Sequence, residues 1–246
     1  MIRAIRSLRV MPSFLVALAL MVFASDRARA IAATEDDADD FPRLVAMADF
    51  NRDGIVDTVE ASAGVVTVSL GQADGTFRPM ATGPVLGGEP RAIVAGDFNG
   101  DGKSDVIVGN DDGSLKLFLG DGTGNLVPVG DVDHFDSVVS MAVADFNHDG
   151  IPDVAVSDWR GSSVTVLLGA GNGLFRREWS FPLRMPGKVG RIVVADFNGD
   201  SVPDIAVTYD DNDGYTFEVL LGQGNGTFTF APKLSFVRDP NSHCAT

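Results

Sequence analysis

Four stretches of the sequence carry acidic and amide side chains in one rhythm: 49-DFNRDGIVD-57, 97-DFNGDGKSD-105, 145-DFNHDGIPD-153 and 196-DFNGDSVPD-204. Counted from the first Asp, positions 1, 3, 5 and 9 bear side-chain oxygen, and position 7 offers a backbone carbonyl. In the first loop these are Asp49, Asn51, Asp53, Ile55 and Asp57, and in the second Asp97, Asn99, Asp101, Lys103 and Asp105. The third supplies Asp145, Asn147, Asp149, Ile151 and Asp153, and the fourth Asp196, Asn198, Asp200, Val202 and Asp204. An all-oxygen set completed by water suits a hard cation of loose geometry, so up to four Ca²⁺ ions are expected in preference to Mg²⁺. The competing reading is an Asx-rich turn without metal. A turn needs one or two such residues, whereas here three carboxylates are expected to converge in every loop.

An EF-hand opens the same way but also needs a bidentate Glu at position 12 and flanking helices. Glu60 stands there in the first loop, but Val108, Val156 and Val207 occupy the place in the others. Pro152 and Pro203 at position 8 would break a following helix, and the residues after them alternate as strands do. The fourth loop has Ser201 where the others have Gly at position 6. If that place needs a left-handed backbone, Ser costs about 1–2 kcal/mol, which makes the fourth site the expected weakest by roughly tenfold.

The loops belong to a repeat. Their starts lie 48, 48 and 51 residues apart, and a second landmark keeps phase with them: 70-LGQADGTF-77, 119-LGDGTGNL-126, 168-LGAGNGLF-175 and 221-LGQGNGTF-228. Each unit holds four short strand-like runs. In the third they are Val138–Phe146, Asp153–Trp159, Ser162–Gly169 and Phe175–Phe181, and in the fourth RIVVADF, DIAVTYD, YTFEVLLG and FTFAPKLSF. Four strands in about 48 residues is the cue for a β-propeller blade. The acidic loop then joins the first strand to the second and the Gly-rich turn the third to the fourth, which puts both on one face. Strands flank the Gly-rich turn and no helix follows, so it reads as a hairpin and not as a phosphate cradle.

This D-F-N-x-D-G-x-x-D loop followed by LGxGxGxF resembles the FG-GAP or VCBS repeat family, over about residues 43–236. The resemblance implies an all-β propeller with Ca²⁺ held between the first two strands of each blade, and a role in adhesion, recognition or assembly. The expected blades are 43–89, 90–137, 138–188 and 189–236, with a tail at 237–246. Propellers of this family commonly have more blades. Four could close as a small ring, pair with a second copy, or form part of a larger propeller, and no split blade is evident that would join the two termini.

The chain opens with Arg3, Arg6 and Arg9, then an apolar run from Phe14 to Ala24, then Ala28-Arg29-Ala30. That is the pattern of a secretory signal peptide at 1–30, cleaved after Ala30, which predicts a secreted or periplasmic protein without membrane insertion. An acidic linker follows at 31–42. Residues 31–246 hold 14 basic and 33 acidic residues, a net charge of −19, which argues against nucleic acid as a partner. The single cysteine, Cys244, reads as a tail thiol.

No nucleophile stands beside a base, and His134, His148 and His243 are scattered, with His148 expected to face solvent. The leading expectation is a non-catalytic interaction module whose ligand is a protein or glycan. A lectin-like alternative uses the variable loops on the opposite face, with Trp159, Arg160, Tyr209 and Tyr215 as sugar contacts. A metal-dependent hydrolase or lyase is a third reading, weakened because the carboxylates are committed to the repeated loops.

Overall fold

Across the repeats, short runs rich in Val, Ile and Leu, each ended by Gly, Asp or Asn, favour strands over helices. The computed structural model describes residues 44–232 apart from 81–82, 84–85, 161, 184–187 and 211–214. The predicted signal peptide, the acidic linker, His243 and Cys244 lie outside the described residues. Among the described residues no helix is long and apolar enough to cross a membrane.

Among the described residues, sixteen strands form four antiparallel sheets in simple meander order. The first sheet is β1 (Leu44–Ala48), β2 (Asp57–Ser62), β3 (Val65–Gly71) and β4 (Phe77–Pro79). The second is β5 (Pro90–Gly96), β6 (Asp105–Asn110), β7 (Ser114–Gly120) and β8 (Leu126–His134). The third is β9 (Val138–Ala144), β10 (Asp153–Asp158), β11 (Ser163–Gly169) and β12 (Phe175–Pro182). The fourth is β13 (Lys188–Ala195), β14 (Asp204–Asp210), β15 (Tyr215–Gly222) and β16 (Phe228–Phe230). The last strand is shorter than its apolar run suggested. Ala231 still donates its N–H to the Val219 carbonyl, but Pro232 has no N–H to continue the ladder.

The sheets stack as propeller blades do, with β1 beside β5, β5 beside β9 and β9 beside β13. Three apolar cores fill the spaces between them. Val59, Val66 and Val68 meet Val106, Val108 and Phe118 between the first two blades. Ile107, Leu115 and Leu117 meet Val154, Val156 and Leu167 between the second and third. Val164, Val166 and Leu168 meet Ile205, Val207 and Leu220 between the third and fourth. Strands β6, β10 and β11 are consequently buried on both faces. No such core joins the fourth blade to the first among the described residues, so of the three arrangements expected, a closed four-bladed ring is not formed there.

The glycine of each LG pair packs directly against backbone. A Cβ on Gly71, Gly120, Gly169 or Gly222 would collide with the carbonyl oxygen of Val56, Ser104, Pro152 or Pro203 respectively. Backbone cannot give way as a side-chain tip does. Gly120→Ala should therefore cost about 1–3 kcal/mol, a fall in melting temperature of several degrees. Gly102→Ala, whose Cβ meets nothing within 4 Å, should cost only its left-handed strain, about 1 kcal/mol. Thermal melts of the two variants check the ranking.

Candidate metal centre

Each acidic loop leaves the end of a blade's first strand, and its ninth residue begins the second. That ninth residue is drawn inward. Asp57, Asp105, Asp153 and Asp204 are all fully buried. In the third blade Asp153 Oδ2 accepts the N–H of Phe146 at 2.9 Å, and Oδ1 accepts that of Gly169 at 2.8 Å. The same pair of bonds recurs at Asp57 with Phe50 and Gly71, at Asp105 with Phe98 and Gly120, and at Asp204 with Phe197 and Gly222. One carboxylate thus ties the end of the first strand, the start of the second and the end of the third.

The residues at positions 1, 3 and 5 stay at the surface and fold the loop around themselves. Asp49 accepts the N–H groups of Arg52, Asp53 and Gly54, Asn51 Oδ1 accepts that of Asp53, and Asp53 Oδ1 accepts that of Ile55. The other loops repeat this scheme closely. Backbone N–H groups therefore hold the carboxylates apart from one another without a cation. Among the described residues no three Asp, Glu, His or Cys side chains come close enough to hold a metal by themselves. The expected convergence of three carboxylates is not seen among the described residues, because the ninth-position Asp turns inward to accept two backbone N–H groups.

What remains is still an oxygen set. Two carboxylates and an amide line each loop, and each carboxylate oxygen keeps lone-pair capacity beyond its backbone bond. In loops 1, 3 and 4 the Asn Nδ2 donates to the position-5 carboxylate at 2.8–2.9 Å. In loop 2 the Lys103 ammonium sits on Asp101 Oδ2 at 3.0 Å, and this bond, above other causes, lowers the Asp101 pKa. The donor chemistry fits a hard cation, with loop 2 already holding a cation of its own.

Burial raises the pKa of Asp153 to about 6, and the nearby carboxylates of Asp149 and Asp145 add to it against the two backbone bonds. Asp105 and Asp204 are raised for the same reasons, burial first. The position-1 and position-5 charges are thus felt at position 9 even though the groups do not converge.

Backbone conformation shows a constraint that sequence reasoning missed. Position 6 is left-handed throughout, at φ 81°, 77° and 82° for Gly54, Gly102 and Gly150 and 68° for Ser201. Position 4 is left-handed too, and there Arg52 (φ 63°) and His148 (φ 59°) stand where loops 2 and 4 have Gly100 and Gly199. Loops 1, 3 and 4 therefore each carry one strained residue, and loop 2 carries none. His148 is exposed, as expected, and so is His134.

The two landmarks interlock between blades. Gly124, Gly173 and Gly226, from the Gly-rich turns, donate their N–H groups to the carbonyls of Phe50, Phe98 and Phe146 in the acidic loop of the preceding blade. The Ser104 hydroxyl also donates to the Asp49 carbonyl. Loop and turn therefore lie on one face.

A family model for the FG-GAP-like repeat matches residues 49–108, 97–156 and 145–207. The chain belongs to the FG-GAP-like repeat family. Each match runs from one FG-GAP loop to a little beyond the next, which is the spacing of the interlock just described. Cartilage acidic protein 1 of Xenopus tropicalis is 30% identical over 116 residues, 45% of this chain and 18% of that protein. Integrin alpha-PS3 of Drosophila melanogaster is 31% identical over 143 residues, 47% of this chain and 13% of that protein. The FG-GAP chain thus spans less than a fifth of these curated relatives. Among solved structures, an Agrocybe aegerita lectin described for specific recognition of non-reducing terminal N-acetylglucosamine superposes with a TM-score of 0.55. At 19% identity, over 76% of this chain and 50% of that one, it shows the shared fold.

The raised Asp153 pKa sets a pH dependence. Its folded value of about 6 lies above its ordinary 3.8, so between these values the folded state holds the proton more tightly. Stability from this group is full below about 3.8 and is lost as pH rises through 6. In chelator, melting temperature should rise as pH falls from 7.5 to about 5. Asp153→Asn should flatten that rise and lower stability by about 1–3 kcal/mol, because one buried N–H then faces an amide N–H. An unchanged pH profile in that variant would remove Asp153 as its source.

Proposed function

We propose that this FG-GAP-like chain is an exported, calcium-loaded interaction module without catalytic activity. The observation that carries the reading is the presence on one face of four loops whose outer oxygens are pre-positioned by backbone N–H donors. Calcium would be held by the side chains at positions 1, 3 and 5, the carbonyl at position 7 and the outer lone pairs of the position-9 Asp. The ion supplies positive charge that offsets the clustered carboxylates and stiffens the face. The basic and apolar start of the sequence supports export, and the similarity to an integrin and to cartilage acidic protein supports a protein ligand.

Calcium should raise the melting temperature at pH 7, by an amount that grows with the logarithm of its free concentration. Isothermal titration should resolve unequal sites. Ser201→Gly should tighten the fourth loop by roughly tenfold if relief of left-handed strain is worth about 1–2 kcal/mol. Lys103→Gln should tighten the second, because Asp101 loses a competing ammonium. A chain that shows no calcium-dependent heat or melting shift would refute the calcium reading.

A glycan-binding reading draws on one observation. Trp159 is 43% exposed at the turn between β10 and β11, on the face opposite the FG-GAP loops, with exposed Arg160 beside it. Tyr209 is no part of such a site: it is fully buried, and its hydroxyl bonds Glu218 at 2.9 Å. The side chain of Tyr215 lies outside the described residues. Glycan-array binding that is lost in Trp159→Ala would favour this reading, and an array with no signal would end it.

A further inference from the structure

Asparagine followed by glycine is a chemically labile pair. The glycine nitrogen attacks the asparagine side-chain Cγ, unobstructed by a side chain of its own. The new C–N bond closes a succinimide, the Cγ–Nδ2 bond breaks and ammonia leaves. Water then opens the ring at either carbonyl, giving an aspartate or an isoaspartate whose backbone runs through Cβ. Among the described residues the pair occurs as Asn99-Gly100, Asn172-Gly173, Asn198-Gly199 and Asn225-Gly226. The glycine N–H must come free and the asparagine must leave its folded conformation, so whatever holds these two groups sets the rate.

The fold holds the four pairs differently. Asn172 and Asn225 stand in Gly-rich turns. The glycines after them, Gly173 and Gly226, are buried, and their N–H groups donate to the Phe98 and Phe146 carbonyls of the preceding blade at 2.9 and 3.0 Å. A Cβ on Gly173 or Gly226 would touch Leu117 or Leu168 of that same preceding blade. Two blades must part before either pair can react. Asn99 and Asn198 stand instead at position 3 of acidic loops. There Gly100 and Gly199 are exposed and donate to a carboxylate of their own loop, Asp97 at 2.8 Å and Asp196 at 2.7 Å. Asn99 is half-buried, and a Cβ on Gly100 would lie 3.0 Å from the Gly171 carbonyl oxygen of the next blade. Asn198 is exposed, and a Cβ on Gly199 would meet nothing within 4 Å. The Asn198 amide is held from within its loop, Oδ1 accepting the Asp200 N–H at 2.8 Å and Nδ2 donating to Asp200 Oδ2 at 2.8 Å. Opening one surface loop takes far less free energy than separating packed sheets.

We infer that Asn198 is the site at which these repeats deamidate. The fold directs a reaction chemically open to four asparagines onto one exposed loop. Asn51 and Asn147, at the same place in loops 1 and 3, are spared because Arg52 and His148 follow them, and a side chain beside the attacking nitrogen hinders ring closure. The product sets a further carboxylate between Asp196 and Asp200. In the isoaspartate form the backbone is also longer by a methylene, which displaces the group that accepts the Asp200 N–H. The Asp204 brace, tied to Phe197 and Gly222, lies outside the altered pair and keeps the blade together. The modification does not rest on the calcium reading. A cation in the loop would hold the same amide in place, so the reaction is read in chelator.

The test ages the purified chain in chelator at mildly alkaline pH, beside a sample in denaturant. Peptide mapping by mass spectrometry reads the exchange of amide nitrogen for oxygen at each asparagine and separates aspartate from isoaspartate. In denaturant the four pairs should convert at similar rates. In the folded chain Asn198 should convert first and Asn99 next, with Asn172 and Asn225 slower than Asn198 by roughly tenfold or more. Gly199→His gives the fourth loop the residue that the third carries at that place, and should slow Asn198 to the pace of Asn147. His148→Gly, at a left-handed position that suits glycine, should make Asn147 deamidate. An Asn198 that keeps its amide throughout, or that converts after any of the other three, would overturn the inference. So would an Asn198 rate unmoved by Gly199→His, or an Asn147 left intact by His148→Gly.

Discussion

A buried carboxylate that accepts two backbone N–H groups is the interaction on which the rest of this protein depends. Asp57, Asp105, Asp153 and Asp204 each take one N–H from the Phe that follows the first strand and one from the Gly that ends the third. A charge is costly to bury unless donors are placed around it, and here the donors belong to two segments that must meet for the blade to exist. The brace sets where the acidic loop begins and ends. It also forces glycine at the LG position, where any side chain would strike a backbone carbonyl.

From this brace the architecture propagates. With Phe50, Phe98 and Phe146 anchored by their N–H groups, their carbonyls point to the next blade and receive Gly124, Gly173 and Gly226. The inter-blade contact at this edge is thus polar and directional, while the faces behind it are apolar and filled by Val, Leu and Phe. Register between neighbouring blades is set twice over, by hydrogen bonds at the rim and by packing within. This explains why two sequence landmarks that lie far apart in each unit keep phase along the chain.

Much of this was legible in the residues. The loop and turn landmarks, the four strands per unit, their order and the shared face follow from spacing and from alternation of apolar residues. Three features were not. The ninth-position Asp looks like its neighbours at positions 1 and 5, and only the fold shows that it is buried while they are not. Its companion Gly stands 14 to 18 residues on in the chain, a separation that varies with hairpin length and so hides the pairing. Left-handed backbone at position 4 is masked because Arg52 and His148 occupy it in two loops. Tyr209 read as an alternating strand-end residue open to ligand, and burial against the preceding blade decides otherwise.

The loop residues divide into two roles, a carboxylate brace that stands without metal and an outer trio of two carboxylates and an amide that a cation would order. Amide hydrogen exchange, followed residue by residue in calcium and then in chelator, separates them most directly. The N–H groups of Phe98, Gly120, Phe146 and Gly169 should be strongly protected in both conditions, while those of Asp101, Gly102, Asp149 and Gly150 should slow only with calcium. Loss of protection at the Phe and Gly amides on chelation, with the blades still folded, would contradict the account. The ninth-position Asp would then owe its place to the metal and not to the backbone.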